Sequence, residues 1–210
     1  MSGHDQTITD VSRTLLDLLK AELPDVATKI VLASPKNAGT NLLTLFLYRV
    51  LENPFLKNDS RPLLPPDAAG RAVEQQPPLT VDLYYLLTAH PGQPPDLLEA
   101  HRALSRAMRV FYDHGLLRGS LLRADAPSKG LTADSLLRVT LNPISMEDMT
   151  RIWSVFPDTP YEISVTYLVT PVAIESAVTL TTAPVVDQIH DQGPRHLPLP
   201  PLAPATNEGT

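Results

Sequence analysis

The side chains with which acid–base or metal chemistry could begin are six histidines, His4, His90, His101, His114, His190 and His196, and 23 carboxylates. No two of these histidines stand four residues apart, the spacing that sets a pair of imidazoles on one helix face for zinc. The chain has no cysteine, which removes thiolate nucleophiles, thiolate metal ligands and disulfides together. Glu147 and Asp148 are adjacent carboxylates, but at a predicted helix start they suit capping and dipole compensation better than proton transfer. Gly39 and Gly70 are isolated, and neither opens a phosphate-binding turn ahead of a Lys-Ser or Lys-Thr pair. No serine occupies a Gly-x-Ser-x-Gly elbow. His101 falls on the apolar side of a predicted helix and reads as a packed, hydrogen-bonded core histidine, and Trp153 reads as core too. The residues therefore point to no catalytic group, no metal site and no cofactor.

The scaffold around these side chains is that of one domain. The chain has 210 residues, 43% hydrophobic and 19% charged, close to the size of a single folding unit. A net charge of −6 argues against a protein that coats nucleic acid, which needs a basic surface to displace counterions. Apolar runs such as Leu42 to Leu51 are broken by Thr44 and Arg49 and fall short of the roughly 20 residues of a membrane-spanning helix. The segment Met1 to Asp10 is polar and lacks a basic-then-apolar signal pattern, so synthesis and residence in the cytosol are expected.

Proline is over-used, with 22 residues against nine glycines. Six prolines fall between Pro54 and Pro78 and six between Pro184 and Pro204. Proline lacks the amide donor and clashes with a helical turn, so neither stretch is regular helix or central strand. The expected organisation is a domain over residues 1–178, with a long surface loop at 53–78, and a Pro-rich tail over 179–210. The tail after Ala177 starts with Val and Thr, which favour extended structure, and residues 179–190 read equally as an extended arm docked on a neighbour or as a disordered end. From Gly193 the tail reads GPRHLPLPPLAP, which suits polyproline geometry, with disorder expected beyond Pro198.

Between these segments the hydrophobic pattern is regular. Ile8, Val11, Leu15, Leu18 and Leu19 predict a helix from Thr7 to Leu23, with Thr7 and Asp10 resembling a capping box. Residues 29–33 and 42–50 read as strands, the second apolar on both faces and so covered on both sides. Leu79 to Thr88 alternates as a half-buried strand does. A second helix opens at Pro94-Pro95-Asp96, carries Leu97, Leu98, His101, Leu104, Met108 and Phe111 on one face, and ends at Gly115. A strand with Leu137, Val139 and Leu141 follows. A third helix, capped by Ser145 and Asp148, buries Met149, Ile152, Trp153 and Phe156. The last strand runs from Tyr161 to Thr170 and resumes past Pro171, which places that part at an edge. Consecutive strands without intervening helices exclude a doubly wound sheet. The fold class is α+β: a mixed, mostly antiparallel sheet flanked by about three helices, with an extended Pro-rich C-terminal tail.

The segments NLLTLFLYRVLENP (Asn41–Pro54), LTVDLYYLLTAH (Leu79–His90), AHRALSRAMRVFYDHGLL (Ala100–Leu117), ISMEDMTRIWSVF and YEISVTYLVTPVAIES carry a family resemblance in their order and spacing. The chain resembles, over Ile8 to Ser176, the N-terminal domain of the tail-terminator or cap proteins of extracellular contractile injection systems. These are phage-tail-like particles of the virulence-cassette and antifeeding-prophage type. The resemblance implies a homo-hexameric ring seated on the terminal inner-tube ring and the terminal sheath ring, where it ends polymerisation and anchors the sheath end. It implies no catalysis, no nucleic acid and no membrane span, and residence in an assembled particle that can be released from the cell.

A subunit ring closes through heterologous contacts when the rotation per copy divides the circle. The long loop and the tail are the segments expected to make contacts to sheath, tube or adjacent copy. The contact residues expected are Arg49, Asn53, Arg61, Tyr84, Pro171, Thr179, Leu180, Val185, Val186 and Ile189. Two other readings differ in what they require. A soluble adaptor, capturing a partner through its sheet edge and tail, requires a monomer absent from particles. A small enzyme requires a deep polar pocket with a perturbed base around His101 or Tyr84–Tyr85.

Overall fold

The computed structural model describes residues 6–56, 63–65, 67–68, 71–92, 94–122, 131 and 135–181. Helix α1 (Thr7–Glu22) buries Val11, Leu15, Leu18 and Leu19 at the spacing read from the sequence. The capping box does not form. Gln6 occupies the cap position, so Thr7 is already helical, and its hydroxyl and the Asp10 carboxylate are buried without a partner among the described residues. Strands β1 (Ile30–Leu32), β2 (Leu43–Glu52), β3 (Leu63–Leu64), β4 (Val73–Gln75) and β5 (Leu79–Ala89) precede helix α2 (Leu97–Asp113). Strands β6 (Leu116–Arg118) and β7 (Leu136–Leu141), helix α3 (Met146–Trp153), and strands β8 (Ser164–Ile174) and β9 (Thr179–Thr181) complete the described chain.

The main sheet has six strands in the order β1-β2-β5-β8-β7-β6, with β1 parallel to β2 and the remaining pairs antiparallel. This is the mixed, mostly antiparallel α+β architecture expected. Helices α1 and α2 pack on one face, over Leu45, Leu83, Tyr85, Leu87, Tyr167 and Val169. The opposite face is covered by α3, whose Met149 and Trp153 pack with Phe156 on Leu86. Ser145 caps α3 by accepting from the Asp148 amide at 3.1 Å, and its hydroxyl donates to the Asp148 carboxylate at 2.8 Å. The helix therefore starts where the sequence predicts.

Three details differ from the pattern reading. His101 is exposed, not packed. The buried stripe of α2 is Ala100, Ala103, Leu104, Ala107, Val110 and Phe111, while Leu97 and Leu98 lie in solvent. The three alanines bring the helix close to the sheet and rotate the face away from His101. Strand β5 is central, not half-buried, and is covered on both faces from Tyr85 to Ala89. Strand β2 is covered on both faces only over Leu43 to Leu45, and Val50 to Glu52 emerge into solvent.

Two bulges interrupt the ladders. One lies between Leu47 and Arg49 of β2, and the other faces Asp82 of β5, where register passes from Val81↔Val172 to Leu83↔Val169. The second accommodates Thr170 and Pro171, which are joined by a cis peptide bond. A one-residue insertion returns Val172 to the face of Val169, and both are fully buried. Up to Thr170, β8 lies between β5 and β7, and beyond Pro171 it pairs with β5 alone. Proline thus falls where one ladder has ended.

Candidate functional site

At the bulge, polar groups tie the start of the Pro-rich loop to the sheet. Asn53 donates from its side-chain amide to the Asp82 carboxylate at 2.9 Å, and the Thr170 hydroxyl donates to the same oxygen. The Asn53 side-chain carbonyl accepts from the Phe55 amide at 3.0 Å, and the Asn53 amide donates to Thr80 at 2.8 Å. Asn53 is buried and fixes the direction in which Pro54 and Phe55 leave. Pro171 is exposed beside this knot.

The loop does not remain irregular. Its strands β3 and β4 pair, closed by Asp67, whose carboxylate accepts from the Arg71 amide at 2.9 Å and from the guanidinium at 2.7 Å. Strand β4 then pairs with β9, so that Val73 faces Thr181, Glu74 faces Leu180 and Gln75 faces Thr179. Gln75 also donates to the Ser176 carbonyl at 2.8 Å, and the Gln76 amide to Val178 at 2.9 Å. Described parts of the loop, β3 and β4, and the start of the tail, β9, which the sequence shows as two separate segments, form one three-stranded sheet. Phe55 and Leu63 are 91% and 74% exposed, and Val178 and Leu180 are 52% and 42% exposed. Large apolar side chains held outward on an ordered scaffold are the mark of a contact surface.

A second feature lies between α3 and the sheet. Arg49 and Tyr84, on neighbouring strands, meet there with the guanidinium 5.6 Å from the ring centroid. Tyr48 packs edge-on against Tyr84 at 6.2 Å. With Phe46, Asn142, Ile144, Asp148, Arg151, Ile152 and Val155 they line a groove of about 540 Å³. Burial raises the Tyr48 hydroxyl's pKa, against the opposing effect of hydrogen bonds to Thr166 and Asn142.

Of the expected contact residues, Arg49 and Tyr84 share the groove, Asn53 and Pro171 share the knot, and Thr179 and Leu180 lie on β9. Arg61, Val185, Val186 and Ile189 lie outside the described residues. The sequence reading missed Phe55 and Leu63. Their signal was present: an aromatic directly after Asn53-Pro54, and a leucine pair, in the surface loop expected to make contacts. The residues that the enzyme reading joins are placed apart among the described residues. Tyr84 and Tyr85 point to opposite faces of β5, and Tyr85 is enclosed, with its hydroxyl 2.7 Å from Ser12 and its pKa pushed up to about 12 by burial. His90 is buried at 2.9 Å from the Thr44 hydroxyl, with its pKa lowered by desolvation. Among the described residues no three histidine or carboxylate side chains group as metal ligands, and no helix is long and apolar enough to cross a membrane.

Residues 10–188 match the family model of the Pvc16 N-terminal domain. The fold is similar to the solved sheath/tube terminator of the PVC extracellular contractile injection system in its extended state. That match has a TM-score of 0.56 and 20% identity, and covers 97% of this chain and 64% of that one. The tube-terminating cap of the anti-feeding prophage matches with a TM-score of 0.54 and 20% identity, over 85% of this chain and 58% of that one. The chain thus spans less than two thirds of the length of either terminator. No curated protein matches the sequence.

Proposed function

The chain belongs to the Pvc16 N-terminal domain family, and from that premise we propose that it is a structural cap of a contractile injection particle. Copies form a closed six-membered ring on the last layer of inner tube and sheath, end polymerisation there, and hold the sheath end during contraction. Its work is geometric and not catalytic. A growing tube exposes at its end the strand edges and apolar patches that the next ring buries, and a terminator matches that end on one face without repeating it on the other.

The observation that carries this reading is the fused loop–tail sheet on a domain of this family. Strands β3, β4 and β9 hold Leu63 and Leu180 exposed on either side of Glu74, and Phe55 and Val178 are exposed as well. Arg49, Asn53, Arg61, Tyr84, Pro171, Thr179, Leu180, Val185, Val186 and Ile189 belong to the contacts or to the elements that position them. Asn53 is of the second kind, since it is buried and orients Phe55. The tail beyond residue 178 is assigned to assembly and not to the core of the domain.

The test is co-sedimentation of the full chain with tubes and sheaths, together with its mass in solution. Ring-sized assemblies that pellet with tubes are expected. The double variant Phe55→Asp with Leu63→Asp should stay folded and remain in the supernatant. A chain that is monomeric at every concentration and never pellets overturns the reading in favour of a soluble adaptor.

A further inference from the structure

The groove under α3 and the segment Leu197-Pro198-Leu199-Pro200-Pro201-Leu202 have complementary chemistry, and the capping role names Arg49, Tyr84 and the tail without pairing them with one another. The groove's apolar lining is aromatic and aliphatic: Phe46, Tyr48, Tyr84, Ile144, Ile152 and Val155. Its polar lining holds the donors Arg49, Asn142 and Arg151 and one carboxylate, Asp148, which accepts from the Ser145 hydroxyl at 2.8 Å and lies 3.9 Å from the Arg151 guanidinium. The Arg49 guanidinium makes no hydrogen bond or ion pair with any described residue and rests on the Tyr84 ring. Asn142 offers an amide bonded to Thr166 at 3.3 Å and to the Tyr48 hydroxyl, both of them in or beside the groove. Arg151 is held by Glu147 at 2.6 Å.

Three of the six residues from Leu197 to Leu202 are proline and have no backbone N–H, so the segment presents carbonyl acceptors and few donors. Its six side chains are all apolar and uncharged. Polyproline geometry is pre-ordered, so little entropy is lost on docking into an aromatic groove lined with donors to its carbonyls. Six residues in that geometry are about 19 Å long.

The described chain ends at Thr181, which pairs with Val73 of β4. Tyr84 lies 11 residues further along the chain than Val73, at most roughly 40 Å away. The 16 residues from Thr181 to Leu197 can span roughly 50 Å, so the tail reaches the groove of its own chain with length to spare. We infer that residues 197–202 dock in polyproline form in the α3 groove of the same chain, on Tyr48 and Tyr84, with their carbonyls bonded by Arg49. The groove is therefore a self-occupied proline-recognition site.

The test uses the full chain and a labelled synthetic peptide of residues 194–203. In the full chain carrying Pro198→Ala and Pro201→Ala the groove is vacated, and it should bind the peptide at least tenfold more tightly than the wild-type chain. Adding Tyr84→Ala should weaken that binding at least tenfold. Equal affinity for wild type and the proline variant, or affinity indifferent to Tyr84→Ala, overturns the inference.

Since the chain has no cysteine, a second measurement does not depend on groove variants. Val155→Cys, at an exposed position, with Leu199→Cys should form a disulfide within one chain in dilute solution. The pair Leu97→Cys with Leu199→Cys, which places the thiol on exposed α2, should remain reduced. Failure of the first pair, disulfides only between chains, or equal oxidation of both pairs overturns the inference.

Discussion

Strand β5 encloses Leu83, Leu86 and Leu87 completely, whereas every residue of β9 is exposed. Strands β5 and β8 of the main sheet each run 11 residues, and the three strands of the smaller sheet run two or three. The first sheet is held by the area it removes from water, at about 25 cal/mol per Å². The second is held by backbone bonds and a few side-chain ties, each contributing only ~1 kcal/mol net. Substitutions in the smaller sheet should therefore spare the fold, whereas those in the main sheet should cost it. Such a division suits a structural subunit: a rigid body that sets spacing, and an ordered surface segment whose energy is realised when a neighbour covers it.

Substitutions that break this contrast should differ in size accordingly. Leu83→Ala, at the centre of the larger sheet, should lower unfolding free energy by about 2–5 kcal/mol in a denaturant titration. A loss below ~1 kcal/mol would mean that burial at the centre of the main sheet does not hold the fold. Tyr85→Phe removes the buried bond to Ser12 without opening a cavity, and should cost about 1 kcal/mol in the same titration. Ser145→Ala removes the α3 cap, again at about 1 kcal/mol, and should loosen the groove more than the α1–α2 side, as hydrogen exchange would show.

Acid should act on the main sheet through His90. Its pKa in the folded protein lies below the ordinary 6.5 because burial disfavours the imidazolium. The unfolded chain then binds the proton more readily, so stability is fully present above about pH 6.5 and falls as pH drops through that value. His90→Gln should flatten the slope between pH 7 and 5, and an unchanged slope would remove His90 from the account.

The smallest effect on stability is expected from Leu180→Pro. It withdraws one strand donor from β9 and should leave the melting temperature within a few degrees, while amides 73–75 exchange faster. A large drop in melting temperature would merge the two regions into one cooperative unit.

The same contrast governs what could be read from sequence. Val11, Leu15, Leu18 and Leu19 repeat with the helical period, and Ser145 with Asp148 announces α3, because the burial these elements achieve is strong and local in sequence. The face of α2 was misjudged for a physical reason. Alanine is small and barely hydrophobic, so the stripe Ala100, Ala103 and Ala107 was outweighed by Leu97 and Leu98, which burial does not use. The capping box at Thr7 failed by one residue of helix start. Pairing of β4 with β9 joins residues about a hundred positions apart through backbone groups, which any sequence possesses, so no side-chain pattern records it. The candidate site was legible in part. Arg49 and Tyr84 were marked and do meet, but Arg49 is turned onto the face of Phe46 and Tyr48 by the bulge after Leu47, a register change that alternation alone does not reveal.

The most direct test of the capping role is an image reconstruction of both ends of particles assembled with this chain. The account predicts six copies in a ring at one end, with residues 53–78 and 179–181 against sheath, tube or the neighbouring copy. Particles with neither end carrying the chain, or a single copy bound along the shaft, would contradict it.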